Sequence, residues 1–190
     1  MKKTKLIALF GPAGAGKDYL LGRWATFLGA HIVKNHSTRP MREQEKEGDP
    51  YYFINDDVFE KMVDNNEFIQ TTDFNNWYYG TALSELRKNK LNIGVFNIAA
   101  IQQLLADDRI EVLPILITAT DKRRLLRQLN REGTPNCSEI CRRFLADEQD
   151  YKNISFKYIP YRNEGDVPLS EHHHHIDAIV DQWQNSLIIQ

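Results

Sequence analysis

The sequence predicts an α/β fold of three layers, a central parallel sheet covered by helices on both faces. Three observations lead there. Short apolar-rich runs at residues 6–10, 92–97 and 111–118 alternate with stretches of helical periodicity. Strands in such a rhythm are buried on both faces, which suits a parallel sheet between helical layers. The chain has 190 residues, 42% of them hydrophobic, enough for one conventional core. Finally, the first apolar run passes directly into a glycine-rich turn and then into a helix.

Residues 6–10 read as a buried strand, and residues 18–28 as a helix ended by Gly29. Residues 31–34 form a second strand. Residues 35–50 are polar, contain Pro40, Gly48 and Pro50, and read as loop. Residues 51–54 are strand-like, and residues 56–63 an amphipathic helix whose acidic first turn suits the helix dipole. Residues 68–74 and 77–79 are short strands. The block at about 35–80 lacks parallel-sheet character and reads as an insert in a core of residues 1–34, 81–126 and 146–190. The rhythm then resumes with a helix at 81–90, a strand at 92–97 and a helix at 99–106. A strand at 111–118 tolerates Pro114. A basic helix at 121–131 breaks at Gly133-Thr134-Pro135, and a helix at 138–151, a strand at 156–160 and a helix at 171–186 close the chain.

Composition narrows the function. A net charge of −2 creates no bulk field toward nucleic acid or a membrane surface. The basic Met1-Lys2-Lys3-Thr4-Lys5 is followed by an apolar run too short for a signal peptide. No stretch approaches the roughly 20 apolar residues of a membrane span. A cytoplasmic protein, monomer or homodimer, is the expectation. Cys137 and Cys141, four apart on a helix, do not suit a metal quartet and read as reduced thiols. The run His172-His173-His174-His175 points in four directions on a helix, so a polar helix start is favoured over a metal grip. Trp24, Trp77 and Trp183 share no spacing and read as packing residues.

The glycine-rich turn is Gly11-Pro12-Ala13-Gly14-Ala15-Gly16-Lys17-Asp18, with Tyr19 opening the helix proper. Strand, turn, Gly-Lys and helix are the context of a P-loop. Glycines let successive N–H groups face an anion, and the helix adds the positive end of its dipole. Lys17 brings a cation to the β- and γ-phosphates. Residues 11–19 are therefore the expected cradle for ATP and Mg²⁺. Asp18 stands where a Ser or Thr hydroxyl normally meets Mg²⁺, and offers a hard anionic ligand instead.

A second constellation is Ser37-Thr38-Arg39-Pro40-Met41-Arg42, two arginines on a proline-stiffened segment that can fork onto one phosphate. Asn76-Trp77-Tyr78-Tyr79-Gly80-Thr81 follows, and its tyrosines offer hydroxyls to a phosphate and ring faces to a base. A third is basic: Arg123, Arg124, Arg127, Arg131, Arg142 and Arg143. Arg127 and Arg131 share a helix face and repel unless an anion relieves them. Arginines that close over a moving phosphoryl group are what phosphoryl transfer requires.

Through these motifs the chain resembles a guanylate kinase from the P-loop to about Asn163. The most specific segments are residues 37–42, Tyr51-Tyr52-Phe53, Asn65-Asn66-Glu67-Phe68-Ile69 and Trp77-Tyr78-Tyr79-Gly80-Thr81, at the family's spacing. The resemblance implies a P-loop three-layer sandwich with an acceptor-binding insert at 35–80 and a helical lid at 127–145. It implies ATP and Mg²⁺ as cofactors. It places the acceptor phosphate on Arg39, Arg42, Tyr51 and Tyr79. Arg127, Arg131 and Arg143 match the family's lid arginines and act in catalysis with Lys17. Asn163 falls near the adenine loop.

Two departures concern the base. Gln70 stands where the family has a glutamate, and Asn97 and Ala99 where it has aspartates. Guanine presents N1–H and an exocyclic amine, both donors, so the lost carboxylates matter. Asn35 and Thr81 remain as polar neighbours of the base. Phosphoryl transfer from ATP to a nucleoside monophosphate, GMP or dGMP, is the activity implied. Alternatives are a kinase of another phosphorylated acceptor such as ribose 1,5-bisphosphate, or a catalytically silent interaction module of this fold. The Asp18 variant is similar to that of ribose 1,5-bisphosphate phosphokinases and of phage-type deoxynucleotide kinases.

Overall fold

The computed structural model describes residues 3–41, 45–48, 51–74, 76–131, 134–165 and 167–185. Five strands form the central sheet in the order β2-β7-β1-β8-β9, all parallel. They are β1 (Thr4–Phe10), β2 (His31–Ile32), β7 (Asn92–Val95), β8 (Ile110–Thr118) and β9 (Ile159–Arg162). In β1, Ile7 and Leu9 face one layer and Leu6, Ala8 and Phe10 the other. This period-2 split of a wholly apolar run is what a central strand needs. Pro114 is accommodated within β8 because β9 begins to pair only at Ile115.

Helix α1 (Lys17–Leu28) and helix α6 (Leu169–Gln184) cover one face through Leu20, Trp24, Ile176, Val180 and Trp183. Helix α3 (Ile98–Ala106) covers the other through Ala100, Ile101 and Leu104. Helices α4 (Asp121–Leu129) and α5 (Cys137–Asp150) follow β8. Gly29, in the left-handed region at φ 60°, ends α1 as expected. His172 is buried, so the histidine run is only partly a polar helix start.

A second, four-stranded sheet has the order β4-β3-β6-β5, from β3 (Asn35–Ser37), β4 (Tyr51–Phe53), β5 (Phe68–Phe74) and β6 (Trp77–Ala82). Helix α2 (Asp56–Asp64) lies between β4 and β5 in the chain. Two expectations are corrected here. Residues 35–50 are not all loop, because Asn35–Ser37 pairs parallel with β4 and antiparallel with β6. The block thus has one parallel pair. Residues 81–90 are not a helix: β6 runs on through Ala82 against β5, and only a 3₁₀ turn, Leu83–Glu85, follows. Strand pairing overrides the local helical pattern. The fully buried Asn92 then pins the next turn, donating to the carbonyls of Lys5, Arg87 and Lys90 and accepting from Arg87 N–H.

Candidate active site

The turn between β1 and α1 sits at the carboxyl end of the central strand, where open α/β sheets bind ligands. Gly14 has φ +77°, and a Cβ there would meet the Arg124 carbonyl oxygen at 2.4 Å. Gly16 has φ +88° and caps α1 without a side-chain cap bond, and Asp18 stands in the helix's first turn. The helix presents its amide end with that carboxylate beside it. Lys17 Nζ donates to the carbonyls of Gly11 (2.7 Å) and Pro12 (3.1 Å), so its ammonium lies across the turn. Burial pushes this ammonium below its ordinary pKa, while Asp18 and Asp147 pull the other way. Asp18 and Tyr19 are exposed, and the Tyr19 ring lies under the Arg23 guanidinium at 3.7 Å. Asp18 also raises the pKa of Tyr51, after burial and Tyr79, so its field reaches the opposite wall.

The turn is supported from behind. Arg127 Nη1 donates to the carbonyls of Gly14 and Ala15, both at 3.2 Å, and Nη2 to that of Asn163 at 3.1 Å. Asn163 Nδ2 donates to the Ala15 carbonyl at 2.9 Å. Arg124 is 3% exposed; its Nε donates to the Ala13 carbonyl (3.2 Å) and its fork meets Asp121, Asp147 and Glu148. With these carbonyls tied back, the turn's backbone is held in place; of its amides, Ala15 N–H donates to Pro12 O at 3.3 Å and Ala13 N–H to Asp147 Oδ2 at 2.7 Å.

Across a cleft of about 330 Å³ lies Arg39, two residues beyond the end of β3. Gly11, Ala13, Lys17, Arg39, Trp77, Tyr79, Arg143 and Asp147 are among its lining residues. Arg39 is 7% exposed, and its Nη2 forks onto both oxygens of Glu45 at 2.8 and 2.9 Å. Burial, the largest single effect, opposes its charge, but the Glu45 hydrogen bond and charge together with Tyr79 and Tyr51 outweigh it and raise its pKa. Its guanidinium stands 5.7 Å from the Tyr51 ring and 5.4 Å from the Phe53 ring, and Tyr51 meets Tyr79 edge-on at 5.7 Å. Arg42 lies outside the described residues.

Next to this cluster runs a chain of neutral hydrogen bonds. Gln70 Nε2 donates to Thr81 Oγ1 at 2.6 Å, and Thr81 Oγ1 donates to Asn35 Oδ1 at 2.5 Å. Gln70 is buried, and its Oε1 has no hydrogen-bond partner among the described residues. Asn97 is not part of this chain. It caps α3 by accepting from Ala100 N–H at 2.7 Å, and donates to Thr72 Oγ1 at 3.2 Å.

The remaining arginines divide. Arg131 lines a surface cleft with Arg123, Leu126, Arg127 and Asn130. Arg143 Nε is held by Glu139 at 2.6 Å, as is Arg142 at 2.7 Å, and together they pull the Glu139 carboxyl down to about 2. Cys137 and Cys141 are exposed free thiols. Among the described residues, no three His, Cys, Asp or Glu side chains gather to hold a metal ion, and no helix is long and apolar enough to cross a membrane.

The family model for guanylate kinases matches residues 3–178. The chain belongs to the guanylate kinase family. A guanylate kinase from Wigglesworthia glossinidia brevipalpis is 32% identical over 169 residues, covering 82% of this chain and 78% of its own length. A guanylate kinase from Prochlorococcus marinus is 29% identical over 178 residues, covering 90% of each. The crystal structure of the Anaplasma phagocytophilum guanylate kinase superposes with a TM-score of 0.68 at 19% identity, covering 97% of this chain and 88% of that one. The three-layer fold with its five-stranded parallel sheet matches this neighbour.

Within this guanylate kinase fold, sequence reasoning missed three carboxylates, Glu45, Asp147 and Glu148, and read Arg124 only as part of a basic face. Their partners lie on other elements or across an irregular loop, and no spacing rule links them. Arg124's one signal was its place on the α4 face shared with Arg127.

Proposed function

We propose that this chain transfers the terminal phosphoryl group of ATP to the phosphate of a nucleoside monophosphate, with GMP or dGMP as the first candidates. The carrying observation is that Lys17 and the P-loop turn line the same cleft as Arg39 and Tyr79. Two anion cradles then share one cleft. ATP phosphates meet the turn amides, the α1 N-terminus and Lys17. Arg39, Tyr51 and Tyr79, with Arg42, hold the acceptor phosphate. Asp18 would hold Mg²⁺, which would supply charge neutralisation to the ATP phosphates. The donor set fits that ion, because Asp18 is an exposed carboxylate one residue from Lys17. A phosphate oxygen is nucleophile enough without a strong general base, so catalysis is positioning and charge balance. Arg131 and Arg143 complete that balance when residues 127–145 close as a lid over the cleft. Arg127 already grips the turn and acts from behind the phosphates. Residues 35–80 form the acceptor-binding insert, and the protein works in the cytoplasm.

A second reading concerns the acceptor. The neutral Gln70–Thr81–Asn35 chain replaces a charged guanine reader, and hydrogen bonds without charge are about half as strong. A phospho-sugar such as ribose 1,5-bisphosphate, or another base, is favoured by that neutrality. A coupled ADP-release assay over GMP, dGMP, AMP, CMP, UMP, dTMP and ribose 1,5-bisphosphate decides. Turnover with GMP or dGMP well above the rest supports the first reading. Turnover confined to another acceptor supports the second. ATP binding without turnover on any of them supports a silent interaction module.

A further inference from the structure

The donor cradle contains an anion of its own. Ala13 N–H, in the P-loop turn, donates to Asp147 Oδ2 at 2.7 Å. Asp147 comes from α5, 134 residues away, and its other partner is Arg124 Nη2 at 3.4 Å. It lines the same cleft as Lys17 and Arg39, and its charge is felt by Lys17. A carboxylate has two oxygens on one negative group, so at this amide it stands in for a phosphate oxygen.

We propose that Asp147 is an internal competitor for the phosphate cradle, which makes nucleotide binding and the position of α5 one equilibrium. The proposal rests on residues 11–18 binding a polyphosphate. A phosphate group and the Asp147 carboxylate cannot share the Ala13 N–H, and they repel at that distance. A polyphosphate therefore binds the arrangement in which Asp147 has left the loop, and shifts α5 toward it. Arg124 keeps Ala13 O and, on its own helix, Asp121, so the loop keeps its rear support when Asp147 leaves with α5. Asp147 is thus a positioning residue, acting on the nucleotide through a loop amide.

Calorimetric titration of the full chain with ATP–Mg²⁺ and with inorganic tripolyphosphate tests this. Asp147→Ala is expected to bind both probes about tenfold tighter, the scale of one charge-assisted hydrogen bond. Asp147→Asn, which preserves the shape and removes the charge, tightens both by less. Glu148→Ala loosens Arg124 without freeing Ala13 N–H, and does not tighten either. Equal or weaker binding by both Asp147 variants overturns the proposal, as does tightening by Glu148→Ala of the same size. Thermal melting of each variant confirms that folded protein is being titrated. Wild-type protein that binds neither probe overturns the P-loop reading itself, whereas wild-type binding with no gain in the variants overturns only the competition.

Discussion

At the residue scale, the two proposed cradles differ in how they are built. Lys17 is held by two loop carbonyls, a neutral arrangement that a phosphate readily displaces. Arg39 is held by a carboxylate, between aromatic rings, and is nearly buried. Its guanidinium has five donors, so Glu45 fixes its plane and leaves others for the acceptor. Replacing Arg39 by Ala removes a bidentate donor and leaves Glu45 without it. The expected result is an acceptor KM raised at least tenfold with the KM for ATP little changed, read from initial rates. An unchanged acceptor KM shows that the phosphate binds elsewhere. Gln70 is the second decisive residue. Its amide spends a donor on Thr81 and buries an oxygen that has no partner among the described residues. Gln70→Glu places a charge where the family reads guanine. It is expected to raise kcat/KM for GMP relative to AMP by about tenfold, in a competition assay. A ratio that falls shows the pocket is tuned to a different base.

At the element scale, caps and ties decide geometry. Asn97 and Gln103, both near α3, bind it to β5: Asn97 caps the helix and reaches Thr72, while Gln103 exchanges hydrogen bonds with both backbone groups of Thr71. The second sheet is anchored to the core through these amides. Asn97→Ala loses a cap, expected to cost about 1 kcal/mol in urea unfolding, with only a small effect on acceptor KM. A large KM effect with unchanged stability would assign Asn97 to the base instead. The sequence was most readable at this scale where period and punctuation agreed. β1, the glycine turn, α1 with Gly29 and the apolar β8 were all visible locally. It was least readable at residues 35–37 and 81–90, where the pairing partner, and not the local pattern, selects the structure. Arg39 and Tyr79 stood out in the sequence as an arginine pair and a tyrosine-rich segment, and Tyr51 only through the family resemblance; the structure brings the three side chains together. Asp147 was invisible because its partner is an amide 134 residues away.

At the scale of the whole molecule, both faces of the sheet are covered, and a buried titratable pair, His172 and Tyr161, lies under α6. His172 of α6 is buried and hydrogen-bonded to Tyr161 Oη, and the Tyr161 ring meets Trp24 edge-on at 4.9 Å. Burial pushes the tyrosine hydroxyl up to about 12. Burial first, then His175 and His173, lowers the pKa of His172, with Glu171 opposing and Arg23 assisting. The unfolded chain therefore takes up this proton before the folded one as pH falls. The associated stability is complete above about pH 6.5, the ordinary histidine value, and is lost below it toward the folded pKa. Melting temperature is expected to fall between pH 7 and pH 5. The fall flattens in His172→Gln, which has an acceptor and no titration. An identical slope in that variant places the pH sensitivity elsewhere.

The central claim is that two anion cradles face one another across a single cleft, so one molecule can bridge them. The most direct measurement is inhibition by a bisubstrate compound, an adenosine and a guanosine joined 5′ to 5′ through a pentaphosphate, varied against each substrate in turn. The two-cradle account predicts competitive inhibition against both ATP and the acceptor. Competition against only one of them, with the other substrate still binding freely, would contradict it.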